Sequence, residues 1–198
     1  MAALAETAKM TVEEFLAWAE AQPGDGKYEL IRGVPVLKNG TDEEPLTAMA
    51  PERYAHAEAK STITAKLKEA IRNAGVPCQA AIDGVGIAVD ENTTYIPDAL
   101  VNCGEPIGPE DQFARTPIVV VEVLSPSTRG RDSAEKFIDY FRVPGIHHYL
   151  AVDLDHRRVF HHKRGDAETI ITAIVKEGTL RLDPPGIEIQ LDGIFPPA

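Results

Sequence analysis

A carboxylate stands in the middle of the most apolar stretch of this chain: Glu122, within Ile118-Val-Val-Val-Glu-Val-Leu124. Taking an ionised carboxylate out of water is unfavourable unless a cation, a metal or several hydrogen-bond donors meet it, so Glu122 demands a partner. Two companions stand in neighbouring segments: Asp98 in Tyr95-Ile-Pro-Asp-Ala-Leu-Val101, and Lys136 in Asp132-Ser-Ala-Glu-Lys-Phe-Ile-Asp-Tyr140. Two acids and a lysine around a sheet edge suit a divalent-metal site for phosphodiester chemistry. Magnesium takes oxygen ligands and commonly uses only one or two protein carboxylates, with water and substrate phosphate completing its shell. A metal lowers the pKa of a bound water and neutralises charge on a scissile phosphate, while a lysine orients the water or stabilises the transition state.

Three elements have to position these groups. Strand alternation puts Ile118, Val120, Glu122 and Leu124 on one face and Val119, Val121 and Val123 on the other. Asp98 opens a second apolar strand directly after Pro97, which fixes the local backbone; if the two strands are neighbours, Asp98 and Glu122 can share one cation. Positions 132, 136 and 140 form one stripe of a following helix, which aligns Lys136 with Asp132 and Tyr140.

Around them, residues 11–20 read as a short helix with Thr11 and Glu14 as a capping box, ended by Gly24 and Gly26. Residues 28–37 read as two strands joined by a tight turn at Arg32-Gly33, followed by a polar loop over 38–51. A long helix follows over 51–73, with Ile63, Leu67, Ala70 and Ile71 as its apolar stripe and Gly75 as its stop. Strands over 76–80, 85–89, 98–101 and 118–124 are expected to form the centre of the sheet. A turn over 125–130 leads into the helix around 132–142, with Asp132 and Glu135 as a capping pair. A hairpin of 148–153 with 157–163 comes next, then short strands near 169–175, 180–182 and 187–189. Strand runs alternating with two substantial helices define a mixed α/β (α+β) fold, a central sheet flanked by helices with additional hairpins.

At 198 residues the chain is read as a single domain, with a core over about 11–165 and C-terminal strands over 166–198. Hydrophobic residues make up 43% and charged residues 26%, which is ordinary globular composition; no window approaches the roughly 18 apolar residues of a membrane span. The N-terminal residues lack a basic stretch followed by an apolar core, so a cytoplasmic protein without a membrane partner is expected. Cys78 and Cys103 fit no short-spacing metal or redox motif and read as small buried hydrophobes. The net charge of −11 opposes nonspecific attraction to phosphates, so any nucleic-acid binding would be weak and salt-sensitive and would lean on metal ions.

The residues also carry a resemblance. Pro97-Asp98 followed by Glu122-Val-Leu resembles the PD-(D/E)XK nuclease superfamily. The longer pattern is similar to the Uma-type restriction endonuclease family, a widespread bacterial family in which cleavage is largely inferred. The matching elements are Tyr28-Glu-Leu-Ile-Arg-Gly33, Pro97-Asp98, Glu122-Val-Leu-Ser-Pro-Ser-Thr128, Asp132 with Lys136 and Tyr140, and Gly145-Ile-His-His-Tyr-Leu-Ala-Val-Asp153, within residues 11–165. In the broad superfamily a lysine stands two residues after the acid, where this chain has Leu124; the Uma-type pattern has its lysine in the following helix, at Lys136. The resemblance implies a restriction-endonuclease-like fold and metal-dependent DNA cleavage with magnesium or manganese as cofactor. It makes Asp98, Glu122 and the Val123 carbonyl the metal ligands, Lys136 the catalytic cation and Glu29 a further site acid. It also implies a homodimer whose two sites address two strands.

Plainer accounts stand beside these. Glu122 and Lys136 could be a structural ion pair, Asp98 a turn residue and Asp132 a helix N-cap. Glu29 could be a surface strand residue or the site's third acid, and His56 could pack in the core, lie at the surface or face the site. His147-His148 and His161-His162 read as solvent-facing strand residues rather than zinc ligands. Arg129, Arg131, Arg142, Arg157, Arg158, Lys163 and Arg164 group about the 122–136 unit; ordinary solvated charge explains each singly, and a phosphate-contacting rim explains their grouping. The rival to a nuclease is a noncatalytic module that keeps the fold to bind nucleic acid or protein.

Overall fold

The computed structural model describes residues 9–23, 26–38, 53–124, 131–167 and 169–195, without the side chains of 131–134. Gly24, most of the 38–51 loop, the 125–130 turn, Arg129 and the side chains of Arg131 and Asp132 therefore lie outside the described residues. Helix α1 spans Val12–Glu20, and its Thr11 and Glu14 exchange the two hydrogen bonds of a capping box. Strands β1 (Tyr28–Ile31) and β2 (Val34–Leu37) form a hairpin whose two central residues, Arg32 and Gly33, both adopt positive φ. That two-residue turn matches the twist of the strands. A side chain at Gly33, with φ 82°, would also meet Lys9 Cβ at 2.6 Å.

Helix α2 runs Tyr54–Ala74 and ends on Gly75 in the left-handed conformation. It is followed by β3 (Cys78–Ile82), β4 (Ile87–Asp90), β5 (Thr93–Tyr95), β6 (Ala99–Cys103) and β7 (Pro117–Leu124). Helix α3 (Arg131–Arg142) leads to β8 (His148–Asp153), β9 (Arg158–Arg164), β10 (Ile170–Val175), β11 (Thr179–Leu182) and β12 (Ile187–Gln190). The central sheet has the order β10-β9-β8-β7-β6-β3, with β7 and β8 parallel and every other pair antiparallel. A parallel pair needs a crossover, and α3 supplies it.

One expectation of the sheet is corrected. The 85–89 strand, β4, does not join the central sheet; with β5 it pairs with the first hairpin in a separate sheet of order β2-β1-β5-β4.

Strand β7 is buried on both faces, which is why it reads as a continuous apolar run. Val119, Val121 and Val123 pack with Ile63, Leu67 and Ile71 of α2, and Val120 packs on the other face with Tyr140 and Phe141 of α3. The β11–β12 hairpin contributes Leu180, Leu182, Ile187 and Ile189 to the α2-side core.

The cysteines correct a second expectation: Cys78 and Cys103 are paired in register across β3 and β6 and form a disulfide. Spacing of 25 residues concealed a contact that only the strand register creates. Cross-linking a loop of this length restricts the unfolded chain by about 3 kcal/mol. Thiol titration of the denatured, unreduced protein should therefore find no free thiol, and the double variant Cys78→Ser, Cys103→Ser should lose about 2–4 kcal/mol in denaturant unfolding.

Candidate functional site

Strands β6 and β7 are neighbours, with Ala99 opposite Val121, so the residues one step further, Asp98 and Glu122, meet at the end of the ladder. Beyond Ala99 the β6 backbone no longer bonds β7, and the Asp98 side chain replaces it: Oδ2 accepts from the Val123 backbone N–H at 2.8 Å. On the same residue, the Val123 carbonyl is met by His56 Nε2 of α2 at 2.6 Å, the ring nitrogen donating to it. His56 is buried, which sets aside the surface expectation for it.

Glu122 lies on the α3 face, and its Oε1 accepts from the Tyr140 hydroxyl at 3.0 Å. Lys136 is one turn before Tyr140 on the same stripe, yet its ammonium pairs with Glu29 of β1, at 2.9 Å from Oε1 and 2.8 Å from Oε2. The expected Glu122–Lys136 ion pair is therefore replaced by Glu29–Lys136. Glu29 is 3% exposed, which rules out a surface strand residue, and its Oε1 also accepts from the Ile96 backbone N–H. Lys136 additionally sits over the Tyr95 ring, 5.2 Å from its centre, a cation–π contact that fixes its stem.

A group not foreseen completes the site. Lys38, the residue after β2, is buried and places its ammonium 2.8 Å from Asp83 Oδ1 and 3.3 Å from Asp98 Oδ1. Lys60 of α2 lies 3.1 Å from Asp83 Oδ2 and 3.8 Å from Asp98 Oδ1, and Lys27 lies 3.1 Å from Asp83 Oδ2. The Asp83 backbone N–H donates to the Asp98 carbonyl, which holds these two acids side by side where β3 and β6 part. Of these groups only Lys60 carried a signal: it shares the stripe of Ile63, Thr64 and Leu67, and a lysine on an apolar stripe needs a buried acid. Lys38 opens the polar 38–51 stretch, and nothing in its local sequence marks it for burial.

Burial pushes the Glu122 carboxyl up to about 7; Lys136 opposes that rise, Asp98 adds to it, Lys38 opposes it and Glu29 adds to it. Burial also disfavours the ammonium forms of Lys38 and Lys136. The facing carboxylates outweigh it and hold both above the ordinary lysine value. Burial opposes ionisation of Asp83 as well, but Lys38, Lys27 and Lys60 hold it well below the usual carboxylate range.

Oxygen donors at the strand end suit a hard divalent ion: two carboxylates on paired strands and one carbonyl. Asp98 and the Val123 carbonyl already have protein partners, and among the described residues no cluster of three or more His, Cys, Asp or Glu is arranged to hold a metal. The donors not tied up in this way are the second Glu122 oxygen and what Lys38 leaves of Asp98 Oδ1, so any ion there would keep few protein ligands.

The basic rim is corrected in part. Arg142 pairs with Asp90 and Asp139, Arg158 with Asp153, and Arg164 donates to the carbonyls of Phe141, Val143 and Ile146. These arginines fasten the fold rather than face a ligand. The strand histidines are corrected too: His148 and His161 are buried, 2.9 Å apart between Nδ1 and Nε2, and His148 Nε2 donates to the Pro184 carbonyl. Burial lowers both to about 4, so they are neutral at physiological pH.

A mixed sheet with a helix on each face and paired acids at the end of its central strands is the architecture of a restriction-endonuclease-like domain. The Uma2 family, described as "Putative restriction endonuclease", matches residues 12–192, and the chain belongs to that family. It is 28% identical over 191 residues to the uncharacterized protein slr1290 of Synechocystis, covering 94% of this chain and 92% of that one. A second Synechocystis protein, sll1609, is 36% identical over 94 residues, 46% of this chain and 52% of its own length. The fold is shared with a crystal structure from Anabaena variabilis described as a putative nuclease belonging to DUF820. The TM-score is 0.67 at 15% identity, covering 94% of this chain and 97% of that one.

The raised Glu122 carboxyl gives a pH signature. The folded state holds a proton that the unfolded chain, with an ordinary value of 4.5, releases, so this stabilisation is complete below about 4.5 and lost as pH rises through about 7. In metal-free urea unfolding, Glu122→Gln should gain on the parent by roughly 1–3 kcal/mol between pH 5 and pH 8. A difference that does not vary with pH would contradict it.

Proposed function

We propose that this protein is a metal-dependent DNA endonuclease in which Asp98 and Glu122 hold magnesium or manganese, with the Val123 carbonyl beside them, and Lys136 is the catalytic cation. The observation that carries the reading is the meeting of Asp98 and Glu122 at the end of one β-ladder, with the Lys136 ammonium on the face Glu122 occupies. A divalent ion bound there would supply Lewis-acid polarisation of a phosphoryl oxygen and a water acidic enough to attack.

The chain's own residues have distinct parts. Asp98 is held by the Val123 N–H, so one of its oxygens is fixed relative to Glu122. Tyr140 orients Glu122 through its hydroxyl. Glu29 and the Tyr95 ring hold Lys136 at the rim, where its ammonium can meet negative charge on a phosphoryl group. Glu29 is in this reading a positioning residue, not a ligand. The reading also takes the chain as one domain, a cytoplasmic protein and a homodimer with DNA as substrate. In a reducing compartment Cys78 and Cys103 would stand as adjacent thiols.

A second reading is favoured by one observation: Asp98 and the Val123 carbonyl are already met by protein donors. On it, the domain is a noncatalytic module that keeps the fold to bind nucleic acid or protein.

Incubation of the purified protein with plasmid and single-stranded DNA in magnesium or manganese separates the two. Cleavage that falls at least about 100-fold in Asp98→Asn and in Lys136→Met is expected of the nuclease. Cleavage undiminished in both variants would overturn the site assignment, and no cleavage by the parent protein would favour the module.

A further inference from the structure

Lys38 stands where a site cation would stand. Its ammonium is 3.3 Å from Asp98 Oδ1, the oxygen that the Val123 N–H does not use, and it is one of two ammonium groups acting on Glu122. An ion that engages Asp98 must therefore share that oxygen with Lys38 or displace it, and like charges at such distances repel strongly in a half-dry site. A buried lysine cannot simply be expelled, because leaving it unpaired is costly. Here a second seat exists: Asp83 Oδ1 is 2.8 Å from the same nitrogen, closer than Asp98. Asp83 is itself held by Lys60 and Lys27, so it stays ionised and in place whichever acid Lys38 favours.

We propose that Lys38 is a built-in competitor of the divalent ion: it neutralises Asp98 in the metal-free protein and withdraws onto Asp83 when a metal binds, so that the Lys38–Asp83 pair sets metal affinity. This rests on the metal-nuclease reading and adds to it a residue from outside the two acidic strands. Lys38 touches no reacting atom; it acts through Asp98. One consequence is weak metal binding by the free protein, strengthened when substrate phosphate brings its own negative charge to the ion.

The test is calorimetric titration of the full chain with magnesium chloride and with manganese chloride, for the parent, Lys38→Met and Asp83→Asn, each confirmed as folded by thermal unfolding. Lys38→Met removes the competing charge while Lys60 still faces Asp98, and should bind metal at least about tenfold more tightly. Asp83→Asn removes the second seat, leaves Lys38 on Asp98, and should bind at least about tenfold more weakly. A merely structural role would move both variants in the same direction. Parent binding with Lys38→Met unchanged or weakened, or with Asp83→Asn tightened, overturns the competitor alone. Binding in Lys38→Met but not in the parent supports it. Should neither bind metal at millimolar concentration, the competitor and the metal-nuclease reading both fall. If Lys38→Met does not fold, Asp83→Asn decides: weaker binding supports the proposal, unchanged or tighter binding overturns it.

Discussion

The hydrogen bond from the Val123 N–H to Asp98 is the constraint on which the site depends. A β-ladder normally continues until both strands end, but β6 begins at Ala99 while β7 runs on to Leu124. On its other edge β7 stays paired with β8 to Leu124, but the Val123 N–H and carbonyl on the β6 side would be buried without partners, which is costly for any polar group away from water. Asp98 supplies the acceptor and His56 the donor that the missing strand would have given. Closing the ladder with a carboxylate instead of a carbonyl imports a negative charge next to Glu122. Lys38 and Lys60 meet that charge.

Each ammonium arrives from a different element, and this explains the architecture. Lys38 comes from the end of the first hairpin and Lys60 from α2, which ties both to Asp98, while Lys136 of α3 is tied to Glu29 of β1. The second sheet earns its separate existence here: Glu29 on β1 and the Tyr95 ring on β5 hold Lys136, while the tight Arg32-Gly33 turn returns the chain in register to Lys38. Buried ion pairs contribute little net stability after desolvation. Their value lies in orientation, since each acid oxygen whose partner is fixed has one allowed direction.

What the sequence made legible was local. The charge inside the β7 run, the alternation that put Glu122 on the face opposite Val121, the 136–140 stripe, the capping box at Thr11 and the turn at Arg32-Gly33 each follow from periods of two or 3.6 residues and from the permissiveness of glycine. What escaped depends on register between distant segments. Cys78 meets Cys103, His148 meets His161 and Asp83 meets Asp98 only because particular strands pair at particular offsets. Lys136 was expected near Glu122 and is there, but its direct partner is Glu29, 107 residues earlier, which no helical or strand period could indicate.

The same register bears on how an acidic chain could engage a polyanion. With a net charge of −11 it needs a basic face, and three of the arginines that group in the second half, Arg142, Arg158 and Arg164, are bound to acids and carbonyls of their own fold. The site lysines are likewise matched, Lys38 and Lys60 to Asp83 and Asp98, Lys136 to Glu29. Counterion release from a nucleic acid requires cationic groups that face the phosphates, and Lys38 and Lys60 are buried against their acids instead. On the nuclease reading, a divalent ion at Asp98 and Glu122 would add positive charge for a phosphodiester at the site itself, so that metal and substrate would favour each other's binding. That reciprocity is the thermodynamic form a site takes when its own cations are already committed to its own acids.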